Sequence, residues 1–528
     1  MAMPKMPPVN YFRQLRMFED GVPRRLRFWI VVAIAFCYQF AAGVYLASLT
    51  QMVGETGCLE EDVTMGGYCT LIGLNIIFPI LFRWKFGLFT RQLFFVSSIA
   101  IIICSAAAMF VSEPVVLWII CLFAGYFKMM GMFGCMSTIQ LNMTPTRNFG
   151  VFLPVVYVIV CGSIQLSGLT TAYVSYFTNW RMMNLVVLGL MLAVDAVVYF
   201  LMKHDHRSGP PIPLKGIDWI GQTLWIGVCV VAAWIFTFGS HYDWWDSIEI
   251  WRATFIFILL LAVTILYSMK KKEPFIHLKA FSYSVTWQLV VIMLGMAVLT
   301  GAAHVLQPIF LGSILHYDSL NIISLNYPEL AGIVMGAIMT YFALVRWKWG
   351  VKPVLFFAVF MATYFVLSMF FLCDAQTDKI LMYLAYFALG VAEVMIDTIA
   401  TYYMSQNIPF VHFFMNITIL GFVRCGTGTA AGAAIVHELF HSSLTKNFSV
   451  VSESFTSGPL SPDLLDYANT QAQLISLKEC FGYMVTIGIV LMLLILISRY
   501  STTIKRFVPR IIAVRRWMTS PKAQDPTL

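Results

Sequence analysis

The sequence predicts an all-α polytopic membrane protein made of two related halves. Three observations predict it. Hydrophobic residues make up 59% of the chain and charged residues 11%, whereas a soluble domain carries about a quarter charged residues. The apolar residues gather into fourteen runs of roughly twenty, each long enough to cross a bilayer as a helix. Finally, Arg83-Trp84-Lys85-Phe86-Gly87 returns 263 residues later as Arg346-Trp347-Lys348-Trp349-Gly350, both times in a short basic connector between two apolar runs. A polar signature repeated once per half marks an internal duplication.

The first six runs lie near 27–50, 63–82, 92–112, 115–141, 149–173 and 181–202. A Gly- and Pro-rich connector, 204–217, follows them, with runs 218–238 and 250–269 after it. The basic stretch 270–281 then leads into six more runs, near 284–308, 326–345, 352–373, 379–404, 409–436 and 480–499. The plan is six, two, six. It divides the chain into a first six-helix unit (1–203), a linker with two extra spans (204–282), a second six-helix unit (283–502) and a basic tail (503–528). The longest polar stretch, 437–478, reads as a loop within the second unit. Residues 10–20 and 503–517 read as basic amphipathic segments that lie on a membrane surface.

The connectors alternate in charge. Bases such as Arg24, Arg91, Lys203, Lys270, Lys348 and Arg510 fall on both tails and the even-numbered connectors, and acids such as Glu55, Glu113, Asp243, Asp374 and Asp463 on the odd ones. The positive-inside rule therefore puts both ends in the cytoplasm and requires an even number of spans. The net charge of +8 follows from this topology and gives no sign of a nucleic-acid partner. No cleavable signal peptide is expected, because the first 26 residues are polar and basic. The eleven Cys fall mostly within spans and read as small apolar residues.

Further short motifs recur in a fixed order. Lys215-Gly216-Ile217-Asp218-Trp219-Ile220-Gly221 opens the seventh run, and Gly239 with Tyr242-Asp243-Trp244-Trp245 and Ser247 closes it. Glu273-Pro274-Phe275 through Phe281 opens the second half, Asn179-Trp180-Arg181 precedes the sixth run, Ala331-Gly332 begins the tenth, and Arg424 with Gly428 marks the thirteenth. With the six-two-six plan, this series resembles the major facilitator superfamily, specifically its 14-helix drug:proton antiporter (EmrB-like) branch. The resemblance covers nearly the whole chain. It implies a major facilitator fold of two six-helix bundles plus two extra linker helices in the cell inner (plasma) membrane. It also implies that Arg83, Lys85, Gly87 and Arg91, with Arg346, Lys348 and Gly350, form conformational-switch loops. The departures are specific. Trp84 stands where the branch has an aspartate, Ser167-Gly168-Leu169-Thr170-Thr171-Ala172 lacks the kinking Pro of its antiporter motif, residues 27–50 carry no acid, and Lys128 lies close to the expected place of the fourth-helix Arg.

Few ionisable groups lie inside the runs, and each is costly enough there to be a candidate. Glu393 and Asp397 are four apart on the twelfth run and share a helix face. Two carboxylates that close in a low dielectric resist ionising together, which is what proton coupling needs. A static hydrogen-bonded pair is the other reading, and Asp195 in the sixth run is the fallback acid. Lys128 follows Gly125 by three, as Glu393 follows Gly390. In the superfamily these two helices line the central cavity, so Lys128 is expected either to face the acids across it or to pair locally with Asp195. Arg424 needs carboxylates or carbonyls, and either ties down the acid pair or stabilises its half.

His437-Glu438-Leu439-Phe440-His441 fits the H-E-x-x-H zinc pattern, but it sits at the end of a span with no evident third ligand and no soluble catalytic domain. No metal, cofactor or enzyme activity is expected, and no Walker sequence supports ATP hydrolysis. The expected function is proton-driven export of amphipathic or lipophilic compounds, with 437–478 meeting a periplasmic adaptor and outer-membrane channel, the last from the resemblance alone. An uptake symporter on the same fold is the alternative. An intramembrane metalloprotease through His437, Glu438 and His441 is the alternative of another class.

Overall fold

The computed structural model describes residues 15–144, 148–208, 211–453, 462–498 and 500. The tail segment 503–517 and residues 10–14 of the first amphipathic segment lie outside the described residues. The elements are helical throughout, and the described residues form no strand beyond one isolated bridge, Phe18 to Met202, where residues 17–19 turn back onto the end of the sixth-run helix.

The first half comprises α1 (Arg24–Phe40), α2 (Leu49–Thr56), α3 (Glu60–Ile76), α4 (Leu81–Gly87), α5 (Thr90–Ala108), α6 (Pro114–Met143), α7 (Phe149–Phe177) and α8 (Arg181–Leu201). The extra pair is α9 (Trp219–Phe238) and α10 (Ile248–Lys270). The second half comprises α11 (Ser284–Gln307), α12 (Ser319–Ile323), α13 (Asn326–Tyr341), α14 (Val351–Leu372), α15 (Lys379–Asn407), α16 (Phe410–Arg424), α17 (Thr427–Glu453) and α18 (Pro462–Ile497).

Thirteen stretches among the described residues are long and apolar enough to cross a membrane. The run 27–50 falls short. Its helix α1 has 17 residues, about 26 Å against a hydrocarbon core of about 30 Å. The chain then leaves the helix at Ala41 before resuming as α2. The reason is local: a Cβ at Gly43 would meet the Cys121 backbone at 2.9 Å, so the chain passes close against α6 there.

Two further expectations are corrected. The run 409–436 is not one helix, because Cys425 is extended and Gly426 has φ +87, which separates α16 from α17. The stretch 437–478 is not a loop over most of its length. Helices α17 and α18 extend through it and pack on each other, with Asn447 donating to Ser476 at 3.1 Å and to Glu479 at 3.2 Å. The polar residues there solvate the outer faces of two paired helices.

The halves are built alike. In the first, α3 packs along α6, with Gly73 against Leu122 and Tyr126 N (3.1 Å to an added Cβ) and Gly125 against Thr70 and Leu74 N (3.0 Å). In the second, α13 packs along α15, with Gly332 against Phe387 and Val391 N (3.1 Å) and Gly390 against Glu329 and Ile333 N (3.0 Å). Reciprocal glycines let the backbones touch, which is how helices associate where lipid removes the hydrophobic drive. One buried core fills the first half and takes in Ile333, Val394, Ile419 and Phe422 of the second, and another lies within the second half. The α9 face formed by Trp225, Cys229, Ala233 and Phe238 joins that of the first. Helix α10 keeps most of its apolar surface exposed, as a lipid-facing helix does.

Candidate functional site

The halves meet along α7. From its basic-connector end to its acidic-connector end it touches the second half at Gly150 beside Leu344 and Val345, then at Tyr157, at Gly162 beside Leu330, at Gln165 and at Tyr173. At the basic end four phenylalanines close over the junction: Phe82 lies 5.6 Å from Phe410 and 4.7 Å from Phe414, and Phe133 lies 6.0 Å from Phe414, all ring centroid to centroid.

Glu393 and Asp397 lie on α15, which Asp378 caps through Ile380 N. Asp397 is buried and Glu393 half-buried. Asp397 Oδ2 pairs with Arg424 Nη1 at 3.1 Å. The helix break creates this arrangement. Arg424 is the last residue of α16, where its charge also complements the negative helix end. The hydroxyls of Thr427 and Thr429 donate to the freed carbonyls of Phe422 and Arg424 at 2.8 and 3.1 Å. Gly426, with φ +87, turns the chain against Ile72 of α3.

From the other half, Tyr157 Oη shares a hydrogen bond with Thr401 at 2.6 Å and accepts one from Arg424 Nη1 at 3.2 Å. The guanidinium also sits 5.4 Å from the Tyr157 ring centroid. Arg424 therefore joins Asp397 to the opposite half. Two residues of this constellation escape a reading of sequence. Tyr157 carries no charge, and its partners are more than 200 positions away. Glu329 sits in the first turn of α13, where an acid passes for a connector residue. It is buried, accepts from Gln165 Nε2 of the first half, and lies beside the α13–α15 crossing that carries Glu393.

Other candidates stand apart. Asp195 accepts from Ser98 within the first half and has no ion pair among the described residues. Lys128 is buried, and no hydrogen bond or ion pair joins it to Glu393, Asp397, Asp195 or any other described residue, so the local pairing with Asp195 is not formed. Both repeat segments lie where the second span of a half ends, but their backbones differ. Arg83–Gly87 is helical within α4, whereas Arg346 ends a π-helical turn and Lys348 has φ +53. Arg83 reaches the linkers, donating to Lys215 O at 3.1 Å and pairing with Glu273 at 3.5 Å. Lys85 bonds Ser137, Arg91 stacks on Tyr199 at 4.8 Å, and Gly350 precedes α14. In the H-E-x-x-H segment, Glu438 accepts from the Trp244 indole at 2.8 Å, and no third metal-ligating side chain joins His437 and His441 among the described residues.

The linker beside Arg83 is held by Asp218. Burial acts to raise its carboxyl, but the Lys271 ammonium, Gly221 N–H, Tyr267 hydroxyl and Phe275 N–H outweigh that and hold it below its ordinary value. Burial, then the charges of Lys203 and Lys85, lowers His206.

No family model matches the sequence, and no curated protein matches it. Among solved structures the chain is similar to the human organic anion transporter MFSD10 (TETRAN), with a TM-score of 0.50 at 9% identity over 90% of this chain and 100% of that one. At such identity the likeness bears on the fold alone. The chain has the fold of a major facilitator protein, helical throughout the described residues with thirteen stretches long and apolar enough to cross a membrane.

Proposed function

We propose that the protein is a transporter that couples inward proton movement to export of amphipathic compounds across the inner (plasma) membrane, with both termini cytoplasmic. The observation that carries this reading is Asp397, one turn from Glu393 on the same helix face and tied through Arg424 to Tyr157 of the opposite bundle. Charges inside a membrane protein are expensive and mark proton or substrate pathways. Here the charge state of the pair acts directly on a bond between the halves. Protonation of Asp397 relaxes its hold on Arg424 and leaves the Arg424–Tyr157 bond as the remaining part of the tie, so the bundles are freer to reorient. Loss of the proton restores the tie. The six-two-six order and the motif series favour the 14-helix drug:proton antiporter branch within this fold. In that setting the helical arms 437–453 and 462–478 are where a periplasmic adaptor leading to an outer-membrane channel would dock.

The test uses purified protein in liposomes under an imposed pH gradient with a panel of lipophilic fluorescent compounds. Gradient-dependent movement is expected for the wild type and is expected to vanish in Glu393→Gln, with binding retained. Undiminished proton-coupled transport by the Glu393→Gln, Asp397→Asn double variant would refute the assignment.

A further inference from the structure

Lys128 is a buried cation that the chain leaves without a counter-charge. Its side chain is 93% buried at the middle of the 30-residue helix α6, and it has neither ion pair nor hydrogen bond to any described residue. Its direction follows from helix geometry. Ile119, nine positions earlier, is 52% exposed on the lipid face, and nine residues are about two and a half turns, so Lys128 projects from the opposite side, toward the protein interior. Its Nζ is not among the unpartnered polar atoms sealed from solvent, so it borders accessible space there.

The second half repeats the arrangement with the opposite sign. Leu384, 61% exposed, precedes Glu393 by nine, and Gly390 at the helix crossing precedes it by three, as Gly125 precedes Lys128. Glu393 likewise has no hydrogen bond among the described residues, and no ion pair joins it to Lys128. One turn further along α6, Met132 contacts the carboxamide nitrogen of buried Gln39, whose Oε1 has no partner. An interior ammonium with no counter-charge among the described residues is a point where an anionic group would be stabilised.

We propose that Lys128 is the recognition point for the anionic head, a carboxylate or sulfonate, of an amphipathic ligand. A bound anion supplies the missing counter-charge in a medium where the ammonium cannot recover it from water, so the ligand's charge and not its apolar body sets selectivity at this point. The inference deepens the transport reading and rests on it for its purpose, but binding is measurable without transport.

The experiment uses the full-length protein in lipid nanodiscs at pH 7, with no gradient. Energy transfer from its tryptophans to pyrenebutanoate, pyrenebutanamide and pyrenebutylamine is followed, with empty nanodiscs subtracted. Wild type is expected to bind the carboxylate about tenfold to a hundredfold more tightly than the amide, the range of a charge-assisted hydrogen bond, and the amine least. Lys128→Arg is expected to keep that preference. Lys128→Met is expected to bind acid and amide alike, and since it removes a buried unpaired charge it is expected to fold, which size-exclusion and thermal unfolding check. Equal binding of acid and amide by the wild type, preference for the amine, or a carboxylate preference that survives in Lys128→Met would overturn the proposal. Failure of pH-driven transport in liposomes would instead count against the coupling reading and leave this binding result standing.

Discussion

Replacing Arg424 by Gln breaks the contact that joins Asp397 to Tyr157 of the opposite bundle. The variant loses the 3.1 Å pair with Asp397 and the 3.2 Å bond to Tyr157. The two side chains are only 23% and 12% exposed, so water screens the pair little. Removing one partner of such a pair costs about 3–5 kcal/mol, chiefly by stranding the other charge. Asp397→Asn alone costs less, roughly 2 kcal/mol, because Arg424 keeps Tyr157. Removing both charges together strands nothing, so the double variant is expected to lose only about 1 kcal/mol. The coupling energy of the cycle is then about 4–6 kcal/mol. Thermal unfolding in detergent, followed by tryptophan fluorescence, reads this out. Arg424→Gln is expected to fall by roughly 5 °C or more, and the double variant to recover most of that. If the double variant instead falls by the sum of the two singles, the pair contributes nothing, and the tie between bundles is not what the geometry describes.

Three further outcomes are expected. Gly125→Ala and Gly390→Ala push a methyl into facing backbone that cannot give way, so each is expected to cost about 2–3 kcal/mol of stability, whereas Gly189→Ala, with open space around it, is expected to be neutral or stabilising by up to about 1 kcal/mol in the same unfolding assay. Because His206 is held below its ordinary 6.5, its docking contribution is complete above that pH and is lost as pH falls through the lower folded value. Amide exchange at Thr90, whose N–H donates to His206 O at 2.9 Å, is thus expected to rise from pH 7.5 to 5.5 once corrected for intrinsic rates. Asp218→Ala strands Gly221 N–H, Phe275 N–H and Lys271, and is expected to raise exchange across 271–283. In the wild type that segment is expected to stay protected down to about pH 4, since the Asp218 carboxyl lies below its ordinary value and is lost only under more acid conditions.

What the sequence made legible was local. Glu393 and Asp397 share a face because their spacing fits one turn, and Gly125 and Gly390 stand at matching crossings because each precedes an interior ionisable residue by three. What stayed hidden depended on distant partners. Tyr157 and Gln165 gain meaning only when α7 lies against the second half, and Glu329 only when its turn is seen to be buried by Gly390. The break at Gly426 was masked by the unbroken apolarity of the run around it. The helical arms of 437–478 were masked by their polarity, which came from being solvated pairs and not from being loops. Lys128 was expected to find an acid because buried charges usually do, yet no ion pair joins it to any described residue.

The extra pair of helices is fastened at opposite corners. Near Asp218 its linker is pinned to the first half through Arg83 and Lys215, and at the far end Trp244 is pinned to the second half through Glu438. Between these points α9 lies against both α3 and α17. A frame of two uprights that tilt about a central pivot is stiffened by a diagonal brace, and such a brace resists the one distortion in which both ends spread together. Helix α9 occupies that diagonal. In the transport proposed above, a channel open at both faces would have to tear one of its pins, whereas alternate tilting would only slide it.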